Sequence, residues 1–270
     1  MCQGQYARLR NTSRIHYSKD ENYYVRISSN PMMNIVDIEK IVEISKSRNK
    51  EVLVVVDNTI MTSVLQSPLE LGADIVVYSL TKYINGHQDV VMGAMTTNND
   101  EIAEKLKETR NQNGLLPSKF DCFIVERGLK TIGTRLQKHG ANAILVSDFL
   151  QKSPYVEKVF FGWETEGSEG LKGRQMKGPN GMISFILKGD EEFSKNVLRN
   201  LKIITIGESY AGCESLICIP SIMTHISVPK EDRLRVGMTD NLVRLSVGLE
   251  DPRDLIQDLD NAIQKAADVL

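Results

Sequence analysis

Residues 54–93 read VVVDNTIMTSVLQSPLELGADIVVYSLTKYINGHQDVVMG, and this stretch decides the fold. Two of its parts, EVLVVVDN starting just upstream at Glu51 and DIVVYSL from Asp74 to Leu80, are short, apolar and β-branched. That is the composition of strands covered on both faces. The segment between them, TIMTSVLQSPLELGA, has room for a helical crossover, so the pair predicts a parallel βαβ unit. VVMGAMTT, from Val90, predicts a third strand.

The same stretch carries candidate chemistry. Asp57 closes the first strand, and in open α/β sheets ligands bind beyond the carboxyl ends of the strands. A carboxylate there can pair with a protonated ring nitrogen, or it can simply form an Asx turn with Asn58 and Thr59. Lys82 follows the next strand. A lysine at the mouth of a buried sheet can lose its proton by desolvation and attach to an aldehyde, or it can be an ordinary surface lysine. Ser79 and Thr81 offer hydroxyls suited to a phosphate. A carboxylate and a lysine at the ends of successive parallel strands are the two groups that pyridoxal 5'-phosphate (PLP) requires. His87 and Asp89 raise the thought of a His–Asp pair, but no nucleophile motif accompanies them, so a structural role for His87 is expected.

Outward from this core, VDIEKIVEISKS (from Val36) has helical spacing, as do residues 101–112. Residues 119–153 predict one long helix broken near Gly133, or a pair of helices. Beyond them VEKVFF, GMISFILKG, LKIITIG and NLVRLSVG predict a second, mixed sheet, with helices at 191–200 and 253–268. Arg244 lies inside the last of these apolar strands, where a charge needs a partner. Its planar fork suits a substrate carboxylate or a buried ion pair. Glu208 and Ser209 precede a turn at Ala211-Gly212 that can shape a pocket. The pattern change gives three expected regions: an irregular 1–23, a first domain over 24–136, and a second over 137–270.

The 270 residues, 41% hydrophobic and 25% charged, are ordinary for a globular protein able to bury a sizeable core. A formal net charge of -2 gives no reason to expect nucleic acid or a membrane surface as partner. No apolar run is long enough to span a bilayer. Cys2, Cys122, Cys213 and Cys218 have no metal-binding or disulfide spacing, so no metal site is expected. Free thiols without a secretory leader point to a reducing, cytoplasmic setting.

From about Asn30 onward the chain closely resembles the Cys/Met-metabolism family of PLP enzymes, the transsulfuration lyases and synthases. The Asp57-Asn58-Thr59 and Ser79-x-Thr81-Lys82 elements carry the likeness, with the Gly86-His87-x-Asp89-Val90-Val91-x-Gly93 continuation. Leu115-Leu116-Pro117-Ser118, Asp121-Cys122, Arg127 to Thr131, Met223-Thr224-His225 and Arg244 to Asp251 follow in order. The resemblance implies a type I PLP fold: an incomplete large parallel-sheet domain plus a smaller C-terminal α/β domain. It implies that Asp57 pairs with the pyridine nitrogen, Ser79 and Thr81 bind the phosphate, and Lys82 holds the cofactor and shuttles protons. Asn30, Ser209 and Arg244 are implied to hold the substrate's α-carboxylate, and Glu208 to favour reaction at the γ-carbon. The implied reaction is cleavage of cystathionine to cysteine, 2-oxobutyrate and ammonia, with β-lyase and γ-synthase chemistry as alternatives. A homotetramer is implied as well.

The chain also departs from the family pattern. Residues 1–23 match neither the family's Tyr-x-Arg pair, nor its glycine loop, nor its ring-stacking tyrosine, although Tyr6-Ala7-Arg8 repeats the letters of the first. Arg26 stands where the family has an acidic residue, and residues 162–174 lack its proline and histidine pattern. These departures support a second expectation: a catalytically impaired relative that associates with a full-length paralogue.

Overall fold

A computed structural model describes residues 15–17, 23–26, 29–165 and 167–268, the first two segments as backbone. The chain forms two compact units, each discontinuous in sequence. The first takes in residues up to Ser29, Ile35–Gly133 and Gly170–Lys177; the second takes in Asn30–Asn34, Thr134–Glu169 and Gly178–Leu270.

The first unit is built on strands β1 (Ile15–Tyr17), β2 (Tyr23–Arg26), β3 (Val54–Asp57), β4 (Ile75–Ser79) and β5 (Gly93–Thr96), hydrogen-bonded in that order. The central pairs β2–β3 and β3–β4 are parallel, as the valine runs require, while β1–β2 and β4–β5 are antiparallel. Val54, Val56 and Val76 are fully buried, in the core that also takes Ile38, Ile41, Tyr78 and Val125. Asp74 fixes the start of β3: one carboxylate oxygen accepts from the Val54 N–H at 2.8 Å, the other from Lys46 Nζ at 2.8 Å.

Helix α1 (Ile38–Arg48) is capped by Asp37, whose side chain accepts from the Lys40 N–H, and buries Ile38, Ile41 and Ser45. The crossover between β3 and β4 contains only one regular turn, α2 (Thr62–Leu65). Helix α3 (Asp100–Gln112) has a side-chain cap at Asn99 and no buried residue. Helix α4 (Lys119–Leu129) is capped by Ser118 and approaches Asn85 so closely that a Cβ on Gly128 would lie 2.5 Å from the Asn85 carbonyl oxygen.

The second unit takes in α5 (Ile132–Lys152) from Thr134 onward, and the break in the 119–153 helical stretch falls at Lys130-Thr131 and not within the longer helix. Its sheet has the order β6 (Val156–Phe160), β7 (Met182–Leu187), β10 (Leu242–Ser246), β9 (Leu216–Cys218) and β8 (Thr205–Ile206). Helices α6 (Glu191–Asn200), α7 (Lys230–Arg235) and α8 (Pro252–Ala267) complete it. The sheet is mixed, as expected: β8–β9 is parallel and the other pairs are antiparallel. Phe185, Leu187, Val197, Val243, Val247 and Leu259 are fully buried in its core. Asp258 of α8 receives the N–H groups of Lys202, Ile203 and Ile204 at 2.9–3.0 Å, which closes the chain leaving α6.

Several sequence expectations need correction. Within the segment expected to be irregular, Ile15–Tyr17 forms a strand, because β2 offers it an antiparallel partner; Tyr6-Ala7-Arg8 and Cys2 lie outside the described residues. LKIITIG contributes only the two residues Thr205–Ile206, since Asp258 holds the N–H groups of 202–204. The expected ranges 24–136 and 137–270 are continuous, whereas the units are not. Asn30–Asn34 joins the second unit because the Pro31 carbonyl accepts from Ser184 Oγ at 2.6 Å and Met32 packs with Met238 and Leu242. Gly170–Lys177 joins the first because Gln175 Oε1 accepts from the Ile38 N–H at 2.9 Å and Lys177 N donates to the Leu65 carbonyl.

Candidate active site

The candidate site residues fall into two sets, one in each unit. In the first unit, Asp57 is the last residue of β3 and is 5% exposed. One of its oxygens accepts from the Thr59 N–H at 3.0 Å, an Asx turn that fixes the carboxylate at the strand end. Thr59 reaches to the neighbouring strand, where its Oγ1 accepts from the Ser79 N–H at 2.9 Å. Asn58 N also donates to the Val77 carbonyl at 3.0 Å. The ends of β3 and β4 are thereby locked together.

Beyond Ser79 the chain turns at once: Lys82 N donates to the Ser79 carbonyl at 3.2 Å, and Gly86 N to the Lys82 carbonyl at 2.7 Å. Lys82 is half-buried. Thr81 is held more firmly than the sequence suggested, its Oγ1 accepting from Met92 N at 3.0 Å and donating to Met92 O at 3.4 Å. The longer of these bonds is the one a phosphate oxygen would have to replace. His87 is structural: its Nδ1 lies 2.7 Å from the Asn85 carbonyl oxygen, while Asp89 accepts from Asn85 Nδ2 at 2.6 Å.

In the second unit, Arg244 is the middle residue of β10 and is 3% exposed. It donates to Asn30 Oδ1 at 3.2 Å, to the Glu208 carbonyl at 2.5 Å and to the Ser209 carbonyl at 3.3 Å, and lies 5.4 Å from the Tyr210 ring centre. Cys218 stands directly opposite it on β9. Burial pushes the Cys218 thiol up, against the pull of the nearby guanidinium, so the group facing Arg244 is a neutral thiol. Among the described residues, no carboxylate forms a salt bridge with Arg244. The Glu208 side chain is exposed, and only its main-chain carbonyl meets Arg244. Among the described residues Arg244 is thus a buried cation hydrogen-bonded only to neutral groups, an arrangement compatible with an anion beside it.

The Asx turn from Asp57 to Thr59 was legible in the sequence, but the bond from Thr59 to Ser79 and the places of Tyr210 and Ser246 were missed. The signal for the last was present: in LVRLSVG the polar residues 244 and 246 recur with the strand period of two, so they share one face.

The first set fits pyridoxal 5'-phosphate by its chemistry: a buried carboxylate for the ring nitrogen, hydroxyls for the phosphate, and an amine for the aldehyde. Among the described residues, no cluster of ligating side chains could hold a metal ion. Nor is any described helix long and apolar enough to cross a membrane.

A parallel sheet with a carboxylate at the end of one strand and a lysine just past the end of the next suits a PLP-binding protein of the α/β class. Comparison narrows this: the model of the Cys/Met metabolism PLP-dependent enzyme family matches residues 7–264, and the chain belongs to that family. Membership implies pyridoxal 5'-phosphate as the cofactor. Cystathionine gamma-lyase of Dictyostelium discoideum is 46% identical over 243 residues, 90% of this chain and 62% of that protein. The Homo sapiens protein of that name is 44% identical, over 90% of this chain and 60% of its own length. A solved cystathionine gamma synthase from Xanthomonas oryzae pv. oryzae superposes with a TM-score of 0.88 at 39% identity, over 93% of this chain and 64% of that one. Cystathionine gamma-lyase from Lactobacillus plantarum, complexed with L-serine, gives 0.85 at 33% identity, over 90% and 64%. The chain therefore spans about 60% of the length of the curated relatives it matches.

Proposed function

We propose that the chain is a PLP-dependent carbon–sulfur lyase of transsulfuration, which takes up water and cleaves cystathionine to cysteine, 2-oxobutyrate and ammonia. The observation that carries this reading is Arg244, a 3%-exposed cation whose hydrogen-bond partners among the described residues are all neutral. It suits the α-carboxylate of an amino acid, with Asn30 and Ser209 as its companions. When bound, pyridoxal phosphate supplies an electron sink for the charge left at Cα. Lys82 holds the cofactor aldehyde and moves protons at Cα, Asp57 keeps the ring nitrogen charged, and Ser79 and Thr81 hold the phosphate. Glu208 supports reaction at the γ-carbon, while the likeness to a cystathionine gamma synthase keeps γ-synthase chemistry, and with it β-lyase chemistry, as the alternatives within this class. The reading includes a cytoplasmic homotetramer.

The test is a visible absorption band on the purified chain with pyridoxal phosphate, together with 2-oxobutyrate release from cystathionine. Lys82→Ala should abolish both. A band that survives Lys82→Ala removes the assignment.

One observation favours a second reading. Leu115, Leu116, Phe120 and Phe123 are between 60% and 69% exposed, a concentration of apolar surface that solitary proteins rarely leave open. A catalytically impaired relative that associates with a full-length paralogue would use such a surface. It predicts no absorption band, no 2-oxobutyrate, and co-purification with the longer protein.

A further inference from the structure

Two of Arg244's partners come from a loop, residues 207–215, that runs from β8 to β9. That loop is pinned by β10 and the residues after it along its whole length. Arg244 holds the Glu208 and Ser209 carbonyls. Ser246 Oγ accepts from the Ala211 N–H at 2.7 Å, and Leu249 N donates to the Cys213 carbonyl at 2.7 Å. Gly248 N donates to Ser215 Oγ at 2.8 Å, and Glu250 receives both Ser215 N at 2.5 Å and Ser215 Oγ at 2.9 Å.

One of these pins differs from the rest. Ala211 has φ 68, a left-handed conformation that a Cβ disfavours and glycine accepts freely. It is fully buried, and its N–H is the group that Ser246 receives. Ser246 lies two residues beyond Arg244 on one strand, so both side chains project from the same face of β10.

We infer that Ser246 is a positioning residue: by latching Ala211 in its left-handed conformation, it holds the Glu208 and Ser209 carbonyls where they orient Arg244 for a carboxylate. This rests on the carboxylate reading of Arg244 and extends it. On this reading the orientation of Arg244 depends on a hydroxyl that bonds the loop backbone and not the guanidinium.

The test uses the full chain labelled with [15N]arginine, with L-serine as the probe, and follows the guanidinium signal that Arg244→Lys removes. Trp163 emission reports whether the second unit is folded. In the unaltered chain, with pyridoxal phosphate added, L-serine should shift the Arg244 signal saturably. Ser246→Ala should weaken L-serine roughly tenfold, the weight of one ordinary hydrogen bond. Adding Ala211→Gly should restore most of that affinity, because glycine adopts the conformation without the latch. If Ser246→Ala fails to fold, Ser246→Cys keeps the size and weakens the acceptor, and a smaller loss with the same recovery is expected.

No response in the unaltered chain would remove the carboxylate reading, and the latch with it. A normal response there with unchanged affinity in the Ser246 variant would overturn the latch alone. A loss that Ala211→Gly does not recover would also overturn it.

Discussion

His139 sets up a stability change with a defined pH window. It is fully buried in α5, with Nδ1 2.7 Å from the Val247 carbonyl oxygen, and that geometry assigns the ring proton to Nδ1. Burial lowers its pKa to about 4, with the Val247 hydrogen bond opposing and the Arg135 charge adding to the shift. The folded chain therefore prefers the neutral ring, while the unfolded chain binds a proton at the ordinary value of about 6.5. Above that value His139 costs nothing. As pH falls from about 6.5 to 4 the unfolded state takes up the proton first, and stability drops by up to about 1.4 kcal/mol per pH unit. Over the whole interval that amounts to about 3 kcal/mol; below about 4 both states are protonated and the loss levels off. Urea unfolding at half-unit pH steps measures this, followed by the fluorescence of Trp163, the single tryptophan, which packs against the core of the same unit. His139→Gln can still donate to Val247 but does not titrate, so its stability should be flat between about pH 5 and 6.5. Carboxylates held low by cations, such as Asp240 bonded to Lys230, add their losses only below the ordinary carboxylate range. An unaltered chain with no slope in the window, or a His139→Gln variant that keeps the slope, would refute the reasoning.

Three further outcomes are expected. Asp57→Asn keeps the acceptor for Thr59 N–H but removes the charge, so affinity for pyridoxal phosphate should fall between about tenfold and 100-fold in a fluorescence titration while the fold is retained. Asp258→Ala strands three backbone N–H groups and should cost about 3 kcal/mol, read as a lower thermal midpoint of the second unit. Gly128→Ala drives a methyl into the Asn85 carbonyl and should cost about 2 kcal/mol, with a further loss of cofactor affinity because Asn85 N bonds the Leu80 carbonyl in the Lys82 turn.

The parallel core was legible because the apolar, β-branched-rich runs at 52–56 and 75–77 leave few other ways to bury so much surface. Asp57 and Lys82 stood out for the same reason, as polar residues at the ends of those runs. Arg244 stood out as a charge inside one. What stayed hidden depends on contacts distant in sequence. Ile15–Tyr17 becomes a strand by pairing with β2, and the side chain of Asn30 finds its partner in Arg244, 214 residues away. Ala211 gives no local sign of a left-handed backbone, because alanine is a poor choice for it; the hydroxyl that holds it lies 35 residues further on. The crossover between β3 and β4 also ran against expectation, since Asn58 and Gln66 bond each other and the local backbone where more helix was expected.

Helix α3 buries none of its thirteen residues. Apart from the half-buried Ile102, Ala103 and Leu106, its side chains are exposed, so its outer face answers mainly to helix propensity, the Asn99 cap and pairs such as Glu104–Lys107. Its outer positions are therefore natural attachment points. A single cysteine there, in a background cleared of Cys122, could carry a dye or a spin label, or tether the chain to a surface, without disturbing the strands that hold Asp57 and the turn that holds Lys82.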